Sequence, residues 1–241
     1  MKYQSVSDAV VSAQSLQARG TAVQVDDLLI VDDHPLMCEA LTMTLKIAFG
    51  MKQARCERSL AAAQQRLKYG KMPDAILLDL NLPDAKGSEG IVCLTRLAPQ
   101  VPIAVISANE DPDMIAVIMA AGAQGYISKA LGREAMCAAL RRVWAGEKVT
   151  PEGYDPDQRT NGVSRPEMAD TAQRFASLTM QQMKTLRLIC KGKANKEISY
   201  ELNIAEATVK THITAIMGKI GARRRTQVVL LANSIKLFEE V

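Results

Sequence analysis

The sequence predicts an α/β fold, a doubly wound five-stranded parallel sheet, joined to a small all-α domain. Three observations carry that reading. Five short apolar runs alternate with helical patterns between Asp27 and Gly146, the rhythm of βαβ units around a parallel sheet. Residues 148–176 break the rhythm with Pro151, Gly153, Pro156, Gly162 and Pro166 among polar and charged residues, the composition of a linker. From Leu178 onward only helical patterns remain, and positive charge gathers there: residues 177–241 hold 11 Lys/Arg against 5 Asp/Glu, whereas residues 1–150 hold 16 of each. The chain divides accordingly into an N-terminal extension (1–26), a sheet domain (27–147), a linker (148–176) and a helical domain (177–241).

The elements follow in order. Residues 1–26 are small and polar, with a weak apolar pattern at Val6, Val10, Val11 and Leu16, and no function is assigned to them. Leu28 to Val31 reads as the first strand. His34 to Phe49 reads as a helix, with Leu36, Ala40, Leu41, Leu45 and Ala48 near helical spacing. Met51 to Cys56 is a strand, and Ser59 opens an Ala- and Gln-rich helix that ends near Gly70. Ala75 to Leu78 is the third strand and Gly87 to Leu97 the third helix. Val101 to Ile106, Pro112 to Ala121, Gly125 to Ser128 and Arg133 to Ala145 complete the alternation, with Gly122 and Gly146 as helix stops. Within the linker a short helix is expected after Pro166.

Composition excludes several classes. A hydrophobic share of 48% supports a real core, and an aromatic share of 4% leaves its packing to aliphatic side chains and Met. No run approaches the roughly 18 apolar residues of a membrane helix, and no basic flank precedes an apolar core at the N-terminus, so no membrane partner is expected. The five cysteines, Cys38, Cys56, Cys93, Cys137 and Cys190, are odd in number and lack metal-ligand spacing. They read as small buried thiols in a reducing, cytoplasmic compartment.

The chemistry concentrates at strand ends. Asp32 and Asp33 follow the first strand and Asp79 follows the third. In a doubly wound sheet these strands are neighbours across the switch point, where ligands bind. Three converging carboxylates repel one another, and a hard divalent cation such as Mg²⁺ offsets that repulsion. The fourth strand ends in a hydroxyl, Ser107, and the fifth in an amine, Lys129. A carboxylate nucleophile, a metal, a hydroxyl and an ammonium suit phosphoryl transfer to Asp79. Each residue also has a plainer role: Asp33 as a helix cap before Pro35, Ser107 as a turn cap, Lys129 as a solvated amine.

These residues resemble a known family. Val31-Asp32-Asp33-His34-Pro35, Leu78-Asp79-Leu80-Asn81-Leu82-Pro83 with Gly87, Ser107-Ala108, and Gly125-Tyr126-Ile127-Ser128-Lys129 are similar to the flavodoxin-like receiver domain of two-component response regulators. The resemblance spans about residues 27–147. It implies Asp79 as phosphoacceptor, Asp32, Asp33 and Asp79 as Mg²⁺ ligands, and Ser107 and Lys129 as phosphate contacts. Tyr126 falls at the family's switch aromatic; a half-buried strand tyrosine is its plainer reading. Leu82 stands where methionine is common.

The helical domain opens with Thr179-Met180-Gln181-Gln182, a capping-box spacing. Helices are expected up to Lys191, over Asn195 to Leu202, and over Glu206 to Ile220, where Gly221 stops the third. Val209, Ile213, Ile216 and Ile220 should face the core, and Lys210, Thr211, Thr214 and Gly218 the free side, a face suited to the major groove. The segment 177–236 resembles the helix-turn-helix output domain of the LuxR/NarL class. Its matching residues are Leu178-Thr179, Gly192, Asn195-Lys196-Glu197-Ile198, Leu202, Thr208-Val209-Lys210-Thr211-His212, Lys219-Ile220-Gly221 and Arg225-Thr226-Gln227. That resemblance implies base contacts from Lys210, Thr211 and Thr214, phosphate contacts from Lys196, Thr208 and Lys219, and dimerisation near Val228 to Leu231. Ala194 and Ala205 replace the serines that often cap the second and third helices, which costs about 0.5–2 kcal/mol per cap. Ala215 replaces a frequent asparagine, and Gly218 lies inside the third helix.

The expectation is a phosphorylation-controlled DNA-binding transcriptional regulator. A sensor histidine kinase charges Asp79, and a homodimer binds promoter half-sites. It is not an enzyme beyond its own phosphorylation and dephosphorylation. Two alternatives stand beside it. One is a phosphorylation-independent regulator whose receiver is a dimerisation module. The other is an aspartyl-phosphate hydrolase, against which Asn81 argues, since such enzymes want an acid there.

Overall fold

A computed structural model describes residues 24–155 and 165–238. The apolar pattern at Val6 to Leu16 lies outside the described residues. Five strands, β1 (Asp27–Val31), β2 (Gln53–Glu57), β3 (Ala75–Asp79), β4 (Ile103–Ser107) and β5 (Gly125–Ser128), alternate with α1 (Pro35–Phe49), α2 (Leu60–Tyr69), α3 (Glu89–Leu97), α4 (Pro112–Ala120) and α5 (Arg133–Trp144). All strand pairs are parallel, in the order β2-β1-β3-β4-β5. β1, β3 and β4 are buried along their whole length, because helices cover both faces of the sheet. Side chains alternate between the two sides. Leu29, Val31, Ile76, Leu78 and Val105 pack under α2, α3 and α4. Leu28, Ile30, Leu77, Ala104 and Ile106 pack under α1 and α5. Phe49 and Trp144 close that second side edge to face, ring centroids 4.4 Å apart.

Local chemistry places the helices. Asp84, in the loop after β3, accepts the N–H groups of Leu60 and Ala61 at 2.8 Å each, so a carboxylate satisfies the positive end of α2. Asp111 caps α4 by accepting the Asp113 N–H, with Pro112 opening the helix. Gly125 permits close packing of β5 on α5, since a Cβ there would collide with Val143. The inner face of α1 differs from the expectation. Cys38, Leu41 and Leu45 are buried, whereas Leu36 is 80% exposed, because the helix meets the sheet along its Cys38 edge. The chain after α5 also continues further than residue 147. Val149 pairs beside β5, with Tyr126 N–H donating to Val149 O at 2.8 Å.

The remaining helices are α6 (Arg165–Ala176), α7 (Met180–Cys190), α8 (Asn195–Leu202), α9 (Glu206–Ile220) and α10 (Arg225–Ser234). The helix after Pro166 is thus a 12-residue element that begins at Arg165. It is a packing element rather than a free tether: Met168, Ala172 and Phe175 are buried in one apolar cluster that runs from the α3/α4 side of the sheet to the C-terminal helices. The α7 capping box forms as expected. Thr179 Oγ1 accepts the Gln182 N–H and Gln182 Oε1 accepts the Thr179 N–H. At α8 only half of such a box exists: Glu197 accepts the Ala194 N–H at 2.8 Å, and alanine has no side chain to answer. No side chain caps α9. Gly221 ends it in the left-handed region at φ 77, where an added Cβ would lie 2.9 Å from Arg174 Nη1.

Directed polar contacts join the two halves. Arg187 of α7 donates to Asp84 O at 2.6 Å and pairs with the buried Glu89 of α3. Arg96 donates to Leu178 O. Ser88 donates its hydroxyl to Ile235 O at 2.6 Å and its N–H to Lys236 O at 3.0 Å. Lys236 reaches Asp111 Oδ2 at 2.5 Å. Burial pushes the Glu89 carboxyl up to about 6, against the opposing pull of Arg187.

Two outcomes follow for this joint. Arg187→Ala leaves Glu89 buried without its cation. It should destabilise the folded chain by about 3 kcal/mol, the low end for a broken buried pair because Arg187 is itself partly exposed; urea unfolding of both chains measures it. The raised Glu89 value means its stabilising contribution is full below about 4.5 and lost as pH rises through about 6. The wild-type chain should therefore lose about 2 kcal/mol relative to Glu89→Gln as pH rises from about 3 to about 7.5. A growing wild-type advantage across that range contradicts the assignment.

Candidate functional site

The sheet register brings the acidic residues together. Val31 pairs with Leu78, so Asp32 and Asp79 leave adjacent strands at one level. Both are buried, at 0% and 1% exposure. Oxygens of Asp32, Asp33 and Asp79 and a ring nitrogen of His34 lie within 4.8 Å of one another. Ser107 pairs with Ser128, which puts Ser107 and Lys129 at the same sheet edge. Lys129 Nζ reaches Asp79 Oδ2 at 2.8 Å and Asp32 Oδ2 at 3.3 Å. Burial alone would push the Lys129 ammonium down, but its hydrogen bond and charge interactions with Asp79 and Asp32 hold it above the usual lysine range.

Backbone and neighbouring groups fix the remaining oxygens. Asp32 Oδ1 accepts the His34 N–H at 2.9 Å, and Asp79 Oδ1 accepts the Asn81 N–H at 3.3 Å. Asp33 Oδ1 is the exception. His34 Nδ1 lies 2.8 Å away, yet the contact is not directed as a hydrogen bond, and this buried oxygen has no hydrogen-bond partner. An orphaned buried carboxylate oxygen facing two other carboxylates fits a hard divalent cation with oxygen ligands. The plainer reading of Asp33 as a cap for α1 is not met: no side chain caps that helix.

The hydroxyl and the aromatic meet through a residue that the sequence reading missed. Asn109 donates its N–H to Ser107 Oγ at 3.1 Å and accepts the Tyr126 hydroxyl on its carbonyl at 2.5 Å. Tyr126 is 1% exposed, turned fully inward rather than half-buried. Burial pushes its phenol up, and a hydrogen bond with Ser107 works against that shift. His34 also went unassigned, although its place directly after Asp33 was the available signal.

The predicted nucleic-acid face separates into exposed and committed residues. Val209, Ile216 and Ile220 are fully buried and Ile213 partly. Lys196, Thr208, Lys210, Thr211, Thr214 and Gly218 are exposed. Thr211 and Thr214 bond back to Ala207 O and Lys210 O at 3.1 Å each, which leaves their methyl groups outward. One expectation needs correction, at Val228, and one residue carries a further contact, Lys219. Lys219, though exposed, donates to Ser177 O at 2.8 Å and Gln182 Oε1 at 2.9 Å and so pins α9 to the start of α7, with one donor of its ammonium left over. Val228 is 1% exposed and faces its own chain's core, so it is no surface for a second copy. Leu231 is partly buried against that core, and Leu230 is the exposed apolar position of α10, at 69%.

An acidic pocket at the switch point of a 2-1-3-4-5 sheet, joined to a helix-turn-helix unit, defines a phosphate-responsive nucleic-acid-binding protein. Residues 28–141 match the response regulator receiver domain, and residues 176–232 match the bacterial regulatory proteins of the luxR family. The chain is 33% identical over 210 residues to the glycerol metabolism activator of Pseudomonas putida, covering 86% of this chain and 95% of that protein. It is 29% identical over 217 residues to the oxygen regulatory protein NreC of Staphylococcus aureus, covering 88% and 99%. Among solved structures, the response regulator RcsB in complex with DNA aligns over 87% of this chain and 98% of that one, with 20% identity and a TM-score of 0.49. A LuxR family DNA-binding response regulator from Silicibacter pomeroyi aligns over 54% and 100%, with 30% identity and a TM-score of 0.48. The chain belongs to the response regulators with a LuxR-type DNA-binding domain. Its function is phosphorylation-controlled regulation of transcription. No helix among the described residues is long and apolar enough to cross a membrane.

Binding of Mg²⁺ should be visible as stability. At about 100 times its dissociation constant the ion adds roughly 2.7 kcal/mol to the folded chain. Thermal unfolding of the wild-type chain should shift upward with MgCl₂, and Asp33→Asn should lose most of that shift. An equal shift in both chains contradicts the pocket.

Proposed function

We propose that Asp79 is the phosphoacceptor of this regulator, that Asp32, Asp33 and Asp79 hold Mg²⁺, that a sensor histidine kinase is the donor, and that this chain works in the cytoplasm. The observation that supports this most is the cluster of three carboxylates and His34, with Lys129 bonded to two of the carboxylates. The carboxylate of Asp79 attacks phosphorus as the donor's bond to phosphorus breaks, which leaves an acyl phosphate on Asp79. When bound, Mg²⁺ neutralises charge on the phosphoryl oxygens. Lys129, already charged and aimed at Asp79, moves onto the incoming phosphoryl group. Ser107 Oγ donates to another of its oxygens once released from Asn109, and the buried Tyr126 follows Asn109. The family membership disfavours a receiver that serves only for dimerisation, and Asn81 disfavours a phosphoester hydrolase.

The output side is proposed as a homodimer on promoter half-sites. Lys210, Thr211 and Thr214 meet base edges, and Lys196 and Thr208 meet phosphates. Leu230 and Leu231 of α10 supply the apolar contact between copies. The uncapped start of α9 and its interior Gly218, which costs about 1 kcal/mol relative to alanine, make this helix depend on DNA for rigidity. Amide exchange in α9 should be faster than in the sheet without DNA and slow on binding; equal protection in the free chain contradicts that.

The phosphoacceptor is tested directly. The wild-type chain incubated with acetyl phosphate and MgCl₂ should gain one phosphoryl group at residue 79, EDTA added beforehand should prevent the labelling, and Asp79→Asn should gain none and keep its circular dichroism spectrum. Labelling of the Asn variant at residue 79 contradicts the proposal.

A further inference from the structure

Two of the five cysteines stand apart from the others. Cys38 sits one turn into α1, and Cys56 lies in β2, the edge strand of the sheet. Their Cα atoms are 6.1 Å apart and the sulfurs form a pair, inside the span that a disulfide bridges. The expectation of five isolated thiols is therefore corrected: Cys93, Cys137 and Cys190 are the free ones. Both sulfurs also face one atom, the backbone carbonyl oxygen of Asp32, with Cys38 Sγ at 3.3 Å and Cys56 Sγ at 4.0 Å. The pair thus has two exclusive bonding states. The structure shows the joined state, without sulfur protons; as thiols, each sulfur would have an S–H within reach of the backbone carbonyl of Asp32. As a disulfide, neither has a proton to donate, and α1 is tied to the sheet edge beside the Asp32–Asp33 turn.

We propose that Cys38 and Cys56 form a reversible disulfide that sets the reactivity of the neighbouring acidic pocket. A hydroperoxide is the oxidant. The half-buried Cys56 sulfur attacks its terminal oxygen, the O–O bond breaks, and Cys56 becomes a sulfenic acid while an alcohol or water departs. The Cys38 sulfur, 6 % exposed, then attacks the Cys56 sulfur, and water leaves with the hydroxyl. Two electrons pass from the sulfur pair to the peroxide, and a dithiol returns them by exchange. Oxidation removes both S–H donors from Asp32 O and ties α1 to the sheet edge, so the turn that carries Asp32 and Asp33, already converged with Asp79 in the disulfide state seen here, readjusts less freely to take the metal and the phosphoryl group. Cys93 and Cys190 are poor competitors, since burial pushes Cys93 up to about 12 and Cys190 up to about 11, and Cys137 is buried. The coupling rests on the phosphoacceptor reading above; the disulfide itself does not.

Peptide mapping and labelling of the full chain test both parts. After hydrogen peroxide, then alkylation with iodoacetamide, a peptide linked through Cys38 and Cys56 should appear, and dithiothreitol should abolish it. Alkylation of both residues after peroxide, or linkage through other cysteines, overturns the disulfide. Acetyl phosphate with MgCl₂ should label residue 79 of the oxidised chain roughly three- to tenfold more slowly than the reduced chain, the scale on which one lost hydrogen bond acts. Dithiothreitol should restore the rate, and Cys56→Ser and Cys38→Ala should each be insensitive to peroxide. Equal rates for oxidised and reduced wild-type chains overturn the coupling with the disulfide intact. Absence of labelling in the reduced chain overturns the phosphoacceptor reading and the coupling together, while the mapping still decides the disulfide.

Discussion

The structure depends on carboxylates held where they repel. Asp32 and Asp79 are buried at the ends of two neighbouring strands, and Asp33 adds an oxygen with no hydrogen-bond partner. Nothing in the apolar core requires this; removal of any of these charges would make the fold easier to form. The protein tolerates the cost because β1 and β3 are hydrogen-bonded along their length and cannot separate, and because Lys129 bridges two of the three acids. A pocket so arranged suits a cation, and the phosphorylation proposed at Asp79 would change its charge balance sharply.

Both loops that border the pocket end on the output half. The loop after β3 carries Asp84, whose carboxylate caps α2 and whose carbonyl accepts Arg187. The same loop carries Ser88, which holds the chain after α10. The loop after β4 runs from Ser107 through Asn109 to Asp111, which caps α4 and binds Lys236. A change at Asp79 or Ser107 thus has a short covalent route to the contacts that position the DNA-binding helices. Lys210, Thr211 and Thr214, the residues proposed to meet base edges, are exposed in this arrangement.

Much of this was legible in the sequence, for identifiable reasons. Strands such as Ala75–Asp79 are continuous apolar runs ended by an acid, and a buried parallel strand is constrained to look that way. The capping box of Thr179 and Gln182 is local chemistry that four residues specify. What escaped depended on tertiary neighbours. The inward edge of α1 is Cys38, Leu41 and Leu45 rather than Leu36, a choice made by the sheet and not by helical spacing. Val228 looked like a partner surface but fills its own chain's core, and the bonds of Lys219 to Ser177 and Gln182 join helices that are distant in sequence. The pairing of Arg187 with Glu89 and of Cys38 with Cys56 joins residues 98 and 18 positions apart, and no periodicity announces either. Asn109, which links hydroxyl to aromatic, sits in a loop where any short polar residue reads alike.

The most direct measurement is DNA affinity of the full chain, on promoter fragments it recovers from genomic DNA, at fixed salt with and without acetyl phosphate and MgCl₂. The account predicts that phosphorylation changes the dissociation constant by about tenfold or more, a coupling of about 1.4 kcal/mol, and that Asp79→Asn abolishes the change. Equal affinity of the labelled and unlabelled chains would contradict it.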